Sequence, residues 1–178
     1  MKKLAKLTAL LLTGVMLLLL ASCGAAPNPG VPGGSSGLTA AEAKAKREIF
    51  KAINEERQKV GKSSLREVTA LTQLEQEFIE HFREAGTNGI PSSEASKLEE
   101  ELYNKQKEAG WQFTGGITYS YSGDSAKLSR VYEGDTEAFR KMLSIFSSVE
   151  DASTALSIGV VTIEGKIYWT ATTLKPIT

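Results

Sequence analysis

The chain of 178 residues has one cysteine, Cys23, and one histidine, His81. A single cysteine excludes an intrachain disulfide and a thiolate metal cluster. A single imidazole removes most metal-ligand sets. It also leaves serine-hydrolase chemistry with one available base, and no Gly-x-Ser-x-Gly elbow accompanies it. Positive charge is not in excess either, with 21 basic against 21 acidic residues. Lys2, Lys3 and Lys6 lie in an N-terminal segment expected to be removed, and without those three the balance is 18 to 21. That is not the basic footprint of a nucleic-acid binder. There are no internal repeats. The run Gly159…Gly165-Lys166-Ile167 approaches a phosphate loop, but its spacing is off by one residue and no Ser or Thr follows the lysine. It reads as strand, turn, strand.

The N-terminus carries a targeting pattern. Three lysines precede a 14-residue apolar run, residues 7–20, which is short for a membrane span. The run ends in Leu20-Ala21-Ser22-Cys23. This resembles the lipobox of bacterial lipoproteins, where small residues precede a cysteine that is diacylated and becomes the new N-terminus. More than one acyl chain is what makes such an anchor stable. Residues 1–22 are therefore expected to be a lipoprotein signal peptide, with Cys23 as the lipidation site. Residues 24–37, rich in Gly, Pro and Ser, read as a flexible tether. A ligand-binding tail is the alternative.

The folded domain is expected over residues 38–178. Thr39-Ala40-Ala41-Glu42 is a capping box, and the helix it opens should end near Val60, with Gly61 in a left-handed position. A second helix is expected over residues 64–85, because Leu65, Val68, Leu71, Leu74, Phe78 and Phe82 recur at steps of three and four. A third should run from a Ser92 or Ser93 cap to about Ala109, with Ala95, Leu98 and Leu102 inward and Glu99, Glu100 and Glu101 outward. The pattern then changes. Residues 111–121 are aromatic and β-branched with alternation, which is a strand signal, and Gly115-Gly116 marks a bulge or bend. A short strand is expected at residues 128–132, then a helix capped by Asp135 and running to about Phe146. Residues 156–163 and 166–173 flank Glu164-Gly165 as a tight hairpin. The first of these strands is nearly apolar on both faces, as expected of a central strand covered on two sides. The order predicts an α+β fold: a three-layer α-β-α sandwich with a mainly antiparallel sheet.

With those elements placed, the chain resembles the CAP superfamily (cysteine-rich secretory proteins, antigen 5 and pathogenesis-related 1 proteins), in its bacterial SCP-like extracellular branch. The resemblance rests on Ile53-Asn54-Glu55-Glu56-Arg57…Gly61…Leu65 at one end. At the other it rests on Leu156-Ser157-Ile158-Gly159-Val160-Val161 followed by Tyr168-Trp169-Thr170. It extends over residues 47–173. The resemblance implies a cleft with two histidines and two glutamates able to hold a divalent metal. By position these would fall near Asn88, Thr118, Phe146 and Ser148, and none of the four is retained. A four-ligand zinc site needs that donor set, so no metal and no cofactor is expected.

The remaining candidates carry little chemistry. His81 reads as a helix-surface or partly buried side chain, with a pH-sensitive or catalytic role as the alternative. Asp124, Glu133 and Asp135 are the acids open to paired-carboxylate work, but they stand at loop and cap positions where Asp serves backbone amides. Tyr119 and Tyr121, with Thr118, read first as core or sheet-face packing; because they border the cleft expected from the resemblance, a polar-aromatic wall facing a ligand is the alternative. Trp111 and Trp169 read as core or sheet-edge anchors. The expectation is a bacterial surface lipoprotein, held in the cell membrane and facing outside the cytoplasm. Its domain would be a degenerate, non-catalytic binding module with a remodelled cleft at Asn88, Thr118, Tyr119, Tyr121 and Ser148. Its partners would be the membrane, through the lipid, and an envelope or extracellular ligand. The alternatives are a cell-envelope hydrolase using carboxylates in that cleft, or a structural envelope protein.

Overall fold

The structure, a computed structural model, describes residues 37–178. The expected signal peptide, Cys23 and nearly all of the expected tether lie outside the described residues. Among the described residues no helix is long and apolar enough to cross a membrane.

Helix α1 spans Ala40–Lys59 and opens on the expected capping box. The Thr39 hydroxyl accepts from the Glu42 amide at 3.2 Å, and the Thr39 amide donates to Glu42 Oε2 at 2.9 Å. Glu42 also ties the layers together. Its Oε1 accepts from Arg83 at 2.9 Å and from the Thr162 amide at 2.8 Å. Burial works to raise its pKa, but the amides of Thr39 and Thr162 and the Arg83 charge outweigh it and hold the carboxyl below its ordinary value.

The second helix begins later than its apolar spacing predicts. Residues Arg66–Glu67 form strand β1, and helix α2 spans Thr69–Ala85 after an extended Val68. The reason lies in Asn54 of α1. Its side chain accepts from the Leu65 amide at 2.7 Å and donates to the Leu65 carbonyl at 3.1 Å, so both backbone groups of Leu65 are engaged by α1 and the residue stays outside the helix. Arg57, fully buried, likewise donates to the carbonyls of Ser63 and Phe146. The Asn-x-x-Arg motif is scaffold: it fixes the connection after α1.

After the 3-10 turn Gly86–Asn88 come β2 (Ile90–Pro91) and α3 (Ser92–Glu108). Neither Ser92 nor Ser93 caps this helix; Pro91 holds the cap position without a side-chain bond. Strand β3 is Trp111–Ile117, with its bulge at the glycines as expected, between Phe113 and Gly115. Strands β4 (Ser120–Ser122) and β5 (Ser125–Lys127) follow, then β6 (Val131–Tyr132). The expected single strand over residues 111–121 is thus two strands in different sheets. Helix α4 (Glu137–Leu143) is capped by Thr136, whose hydroxyl accepts from the Phe139 amide, and not by Asp135. Ile145–Ser148 forms α5.

Strands β7 (Ala155–Ile163) and β8 (Lys166–Pro176) make the hairpin, with Glu164 and Gly165 both at positive φ, as the tight turn requires. The main sheet runs β1-β7-β8-β3, with β6 also on β8. The α+β class is as expected. The sheet, however, is mixed: β1 joins β7 in parallel, while the pairings of β8 are antiparallel. A smaller antiparallel sheet runs β2-β5-β4.

Strand β7 explains the layering. Leu156, Ile158 and Val160 pack with Ile49 and Ile53 of α1 and with Phe139, Leu143 and Phe146. Val161 and Ile163 pack on the other face with Phe78, Ile79 and Phe82 of α2 and Leu102 of α3. Successive side chains point to opposite faces, so a nearly apolar strand, with Ser157 and Thr162 its polar members, serves two cores. Helices therefore lie on both faces of the sheet.

Candidate functional site

The sequence-expected cleft residues do not assemble into one pocket. Asn88 is exposed on the 3-10 turn, and Ser148 is exposed on α5, where its hydroxyl donates to the Ile145 carbonyl. Phe146 is fully buried in the core beneath α1. Thr118 is half-buried between β3 and β4. Four cavities, of about 70, 120, 340 and 380 Å³, are described on the domain, and none is lined by Asn88, Thr118, Tyr119, Tyr121 or Ser148. His81 is exposed and borders the smallest, a groove between α2 and α3. Asp124 and Glu133 are exposed. Asp135 pairs with Arg140, which also holds Glu55 at 2.7 Å. These carboxylates are gathered by an arginine on the scaffold.

Two of the expected residues do belong to an array. Tyr119 donates to Glu99 Oε2 at 3.0 Å, and Tyr103 donates to Glu99 Oε1 at 2.9 Å. The hydroxyls of Tyr119 and Tyr121 are 3.1 Å apart, and Ser96 Oγ lies 3.1 Å from that of Tyr121. A phenol has one proton. With Tyr119 donating to Glu99, Tyr121 donates to Tyr119. The chain of donors thus runs from the surface to one carboxylate. Burial first, then the bond that the phenol donates to the Glu99 carboxylate, push Tyr119 above its ordinary pKa. Burial and Glu99 do the same for Tyr103.

The rings are packed as firmly as the hydroxyls are bonded. Tyr119 sits 6.1 Å from Phe78 and 5.8 Å from Phe82, centroid to centroid, and Tyr121 meets it edge to face at 5.3 Å. Tyr103 stacks at 4.8 Å on Phe113. Tyr121 is 57% exposed. The result is an aromatic wall along α3, β3 and β4, with its outermost ring fixed at both ends.

Sequence reasoning missed the carboxylate at the centre. Glu99 was expected to point outward with Glu100 and Glu101; only the latter two are exposed. Glu99 follows Ala95 by four residues and precedes Leu102 by three, which places it beside the buried stripe. Glu75 was missed as well, although it stands in the apolar stripe of Leu71, Phe78 and Phe82. It is fully buried, and its Oε2 accepts from the Thr172 hydroxyl at 2.8 Å. Burial pushes its pKa up to about 7, with the nearby Glu99 charge adding to the effect.

Among the described residues no group of three or more His, Cys, Asp or Glu side chains is arranged to hold a metal ion. No protein-family model, curated protein or solved structure matches the chain.

Proposed function

We propose that the chain is a bacterial surface lipoprotein, anchored in the cell membrane through Cys23, whose domain is a degenerate CAP-like binding module without catalytic function. The Leu-Ala-Ser-Cys motif supports the anchor. The two matching ends of the domain, the order of elements and the three layers support the CAP-like scaffold. The observation that carries the binding reading is Tyr121: a large ring, mostly exposed, with its hydroxyl held by Tyr119 and Ser96. Rigid tyrosines at a surface provide contact area at little entropic cost on binding.

The test is photo-crosslinking in whole cells with the full chain, placing a photoreactive phenylalanine analogue at position 121 and, as control, at the exposed Lys141 on α4. A discrete adduct at 121 and none at 141 is expected. No adduct at 121, or the same adducts at both positions, would overturn the Tyr121 face as the module's binding surface.

One observation favours the envelope-hydrolase alternative: Glu75 titrates near neutral pH beside Glu99. Yet Glu75 is fully buried and lines none of the four cavities. A substrate would have no route to it without movement of α2.

A further inference from the structure

The aromatic wall ends in a cleft of about 380 Å³, a volume within the range of small-ligand sites, roughly 300–1,000 Å³. It is lined by the aromatic Tyr103, Trp111 and Phe113, by Ile177, and by the polar Asn104, Gln112 and Lys107. Tyr103 is the hinge between the two regions, since its ring stacks on Phe113 and its hydroxyl shares Glu99 with Tyr119. Trp111 is itself braced, with the Arg66 guanidinium 5.6 Å from its ring centre.

From this lining we infer that the cleft is a saccharide-binding subsite of the module proposed above, on which reading it rests. A pyranose ring presents carbon–hydrogen faces that match aromatic carbon, and hydroxyls that need both donors and acceptors. The side-chain amides of Asn104 and Gln112 each supply two donors and an acceptor. Both residues are exposed, as is Lys107, so their polar ends are free to turn to a ligand without loss of a buried bond. No acidic residue lines the cleft, so sugars that carry a carboxylate are accepted beside Lys107 as well as neutral ones. An acyl chain would want an enclosed apolar channel, whereas this cleft sets two amides and an ammonium among its aromatic and aliphatic lining and lies open.

The chain carries its own reporter. Trp169 is fully buried, so a ligand in the cleft perturbs Trp111 alone of the two tryptophans. The full chain in lipid nanodiscs would be titrated with chitotetraose, cellotetraose and maltotetraose while tryptophan emission is followed. A saturable change with at least one of them is expected. The double variant Asn104→Ala/Gln112→Ala, altered only at exposed side chains, should weaken it by about tenfold or more, and Trp111→Phe should abolish the signal. No saturable response to any of the three sugars would overturn the inference. So would a response unchanged in the double variant, or one produced only by phosphatidylglycerol vesicles or by an aromatic-rich peptide. The two readings fail separately. Loss of the sugar response with the position-121 adduct intact removes the saccharide and keeps the module. A sugar response without that adduct keeps the cleft and removes the tyrosine wall.

Discussion

Gly159 of β7 lies directly beneath the backbone of Glu75 in α2. A β-carbon at position 159 would come within 2.8 Å of the Glu75 carbonyl oxygen, 2.9 Å of Ile79 Cγ2 and 3.0 Å of Thr170 Oγ1. The neighbouring Ser157 donates to the Leu71 carbonyl at 2.8 Å, so two successive small residues on one face of β7 bring α2 down onto the sheet. The glycine of the Ile-Gly-Val segment thus sets the distance between two layers.

Gly159→Ala should therefore destabilise the domain by about 1–3 kcal/mol, the usual cost of overpacking. The obstacle is main chain, which yields less readily than a side-chain tip. Urea denaturation of a soluble form beginning at Leu38 would measure it as a lower midpoint with an unchanged slope. A midpoint equal to that of the parent would show that α2 does not sit where Gly159 places it.

Asn54 gives a second prediction. Its side chain makes both bonds of the buried Leu65 backbone. Asn54→Ala leaves a donor and an acceptor unpaired, at about 1–3 kcal/mol each. The loss should reach beyond α1, because Leu65 sits in the core with Ile53 and Leu156, and Arg66–Glu67 pairs with β7. Hydrogen exchange should show amides of residues 63–67 opening first. Protection of that segment at parental levels in the variant would contradict this role.

Much of the scaffold was legible because local chemistry and global fold agree there. Thr39 and Glu42 announce the start of α1, and Glu164-Gly165 announces the hairpin. A nearly apolar run from residue 156 to 163 says that both faces are covered. What misled was an apolar step that changes partners. Leu65 continues the spacing of α2 but packs in the core of α1, because Asn54 claims its backbone. Asp135 was read as a cap on residue type alone, whereas Arg140 holds its carboxylate and Thr136 caps in its place. The site was harder to see for a general reason. Glu75 and Glu99 are acids at or beside core positions, and periodicity flags such residues only when the polar exception is given as much weight as the apolar rule. Glu99 and Tyr103 stand four residues apart on α3, a spacing the helix itself provides, but the pairing of Glu99 with Tyr119 depends on the β3–β4 connection beside α3, and no spacing within one element encodes it.

The anchor rests on sequence alone and has a direct test. Cys23→Ala removes the only thiol available for acylation. The variant should leave the membrane fraction, as precursor or as soluble domain, while the parent partitions with membranes and into detergent. More than one acyl chain is needed for stable retention. A variant that stayed fully with the membrane under a high-salt wash would remove the lipoprotein reading.

Glu75 makes stability depend on pH in a direction opposite to that of a salt-bridged acid. Its carboxyl is fully buried and receives the Thr172 hydroxyl on Oε2, while Oε1 has no acceptor or donor bonded to it. Burial raises its pKa from 4.5 to about 7. Between those values the folded chain holds a proton that the unfolded chain has lost, so stability falls as pH rises through the window. The favourable contribution is complete below pH 4.5 and gone above pH 7, a swing of about 3 kcal/mol at 1.36 kcal/mol per pKa unit. Glu75→Gln removes the titration and keeps a neutral group of the same shape, able to accept from Thr172 and to donate toward Thr170. The variant and parent should therefore be nearly level at pH 5, and the variant should be the more stable at pH 8. Subtracting one denaturation profile from the other isolates this residue from the rest of the titrating groups. A difference that stays constant from pH 5 to pH 8 would show that Glu75 does not change its protonation across that range.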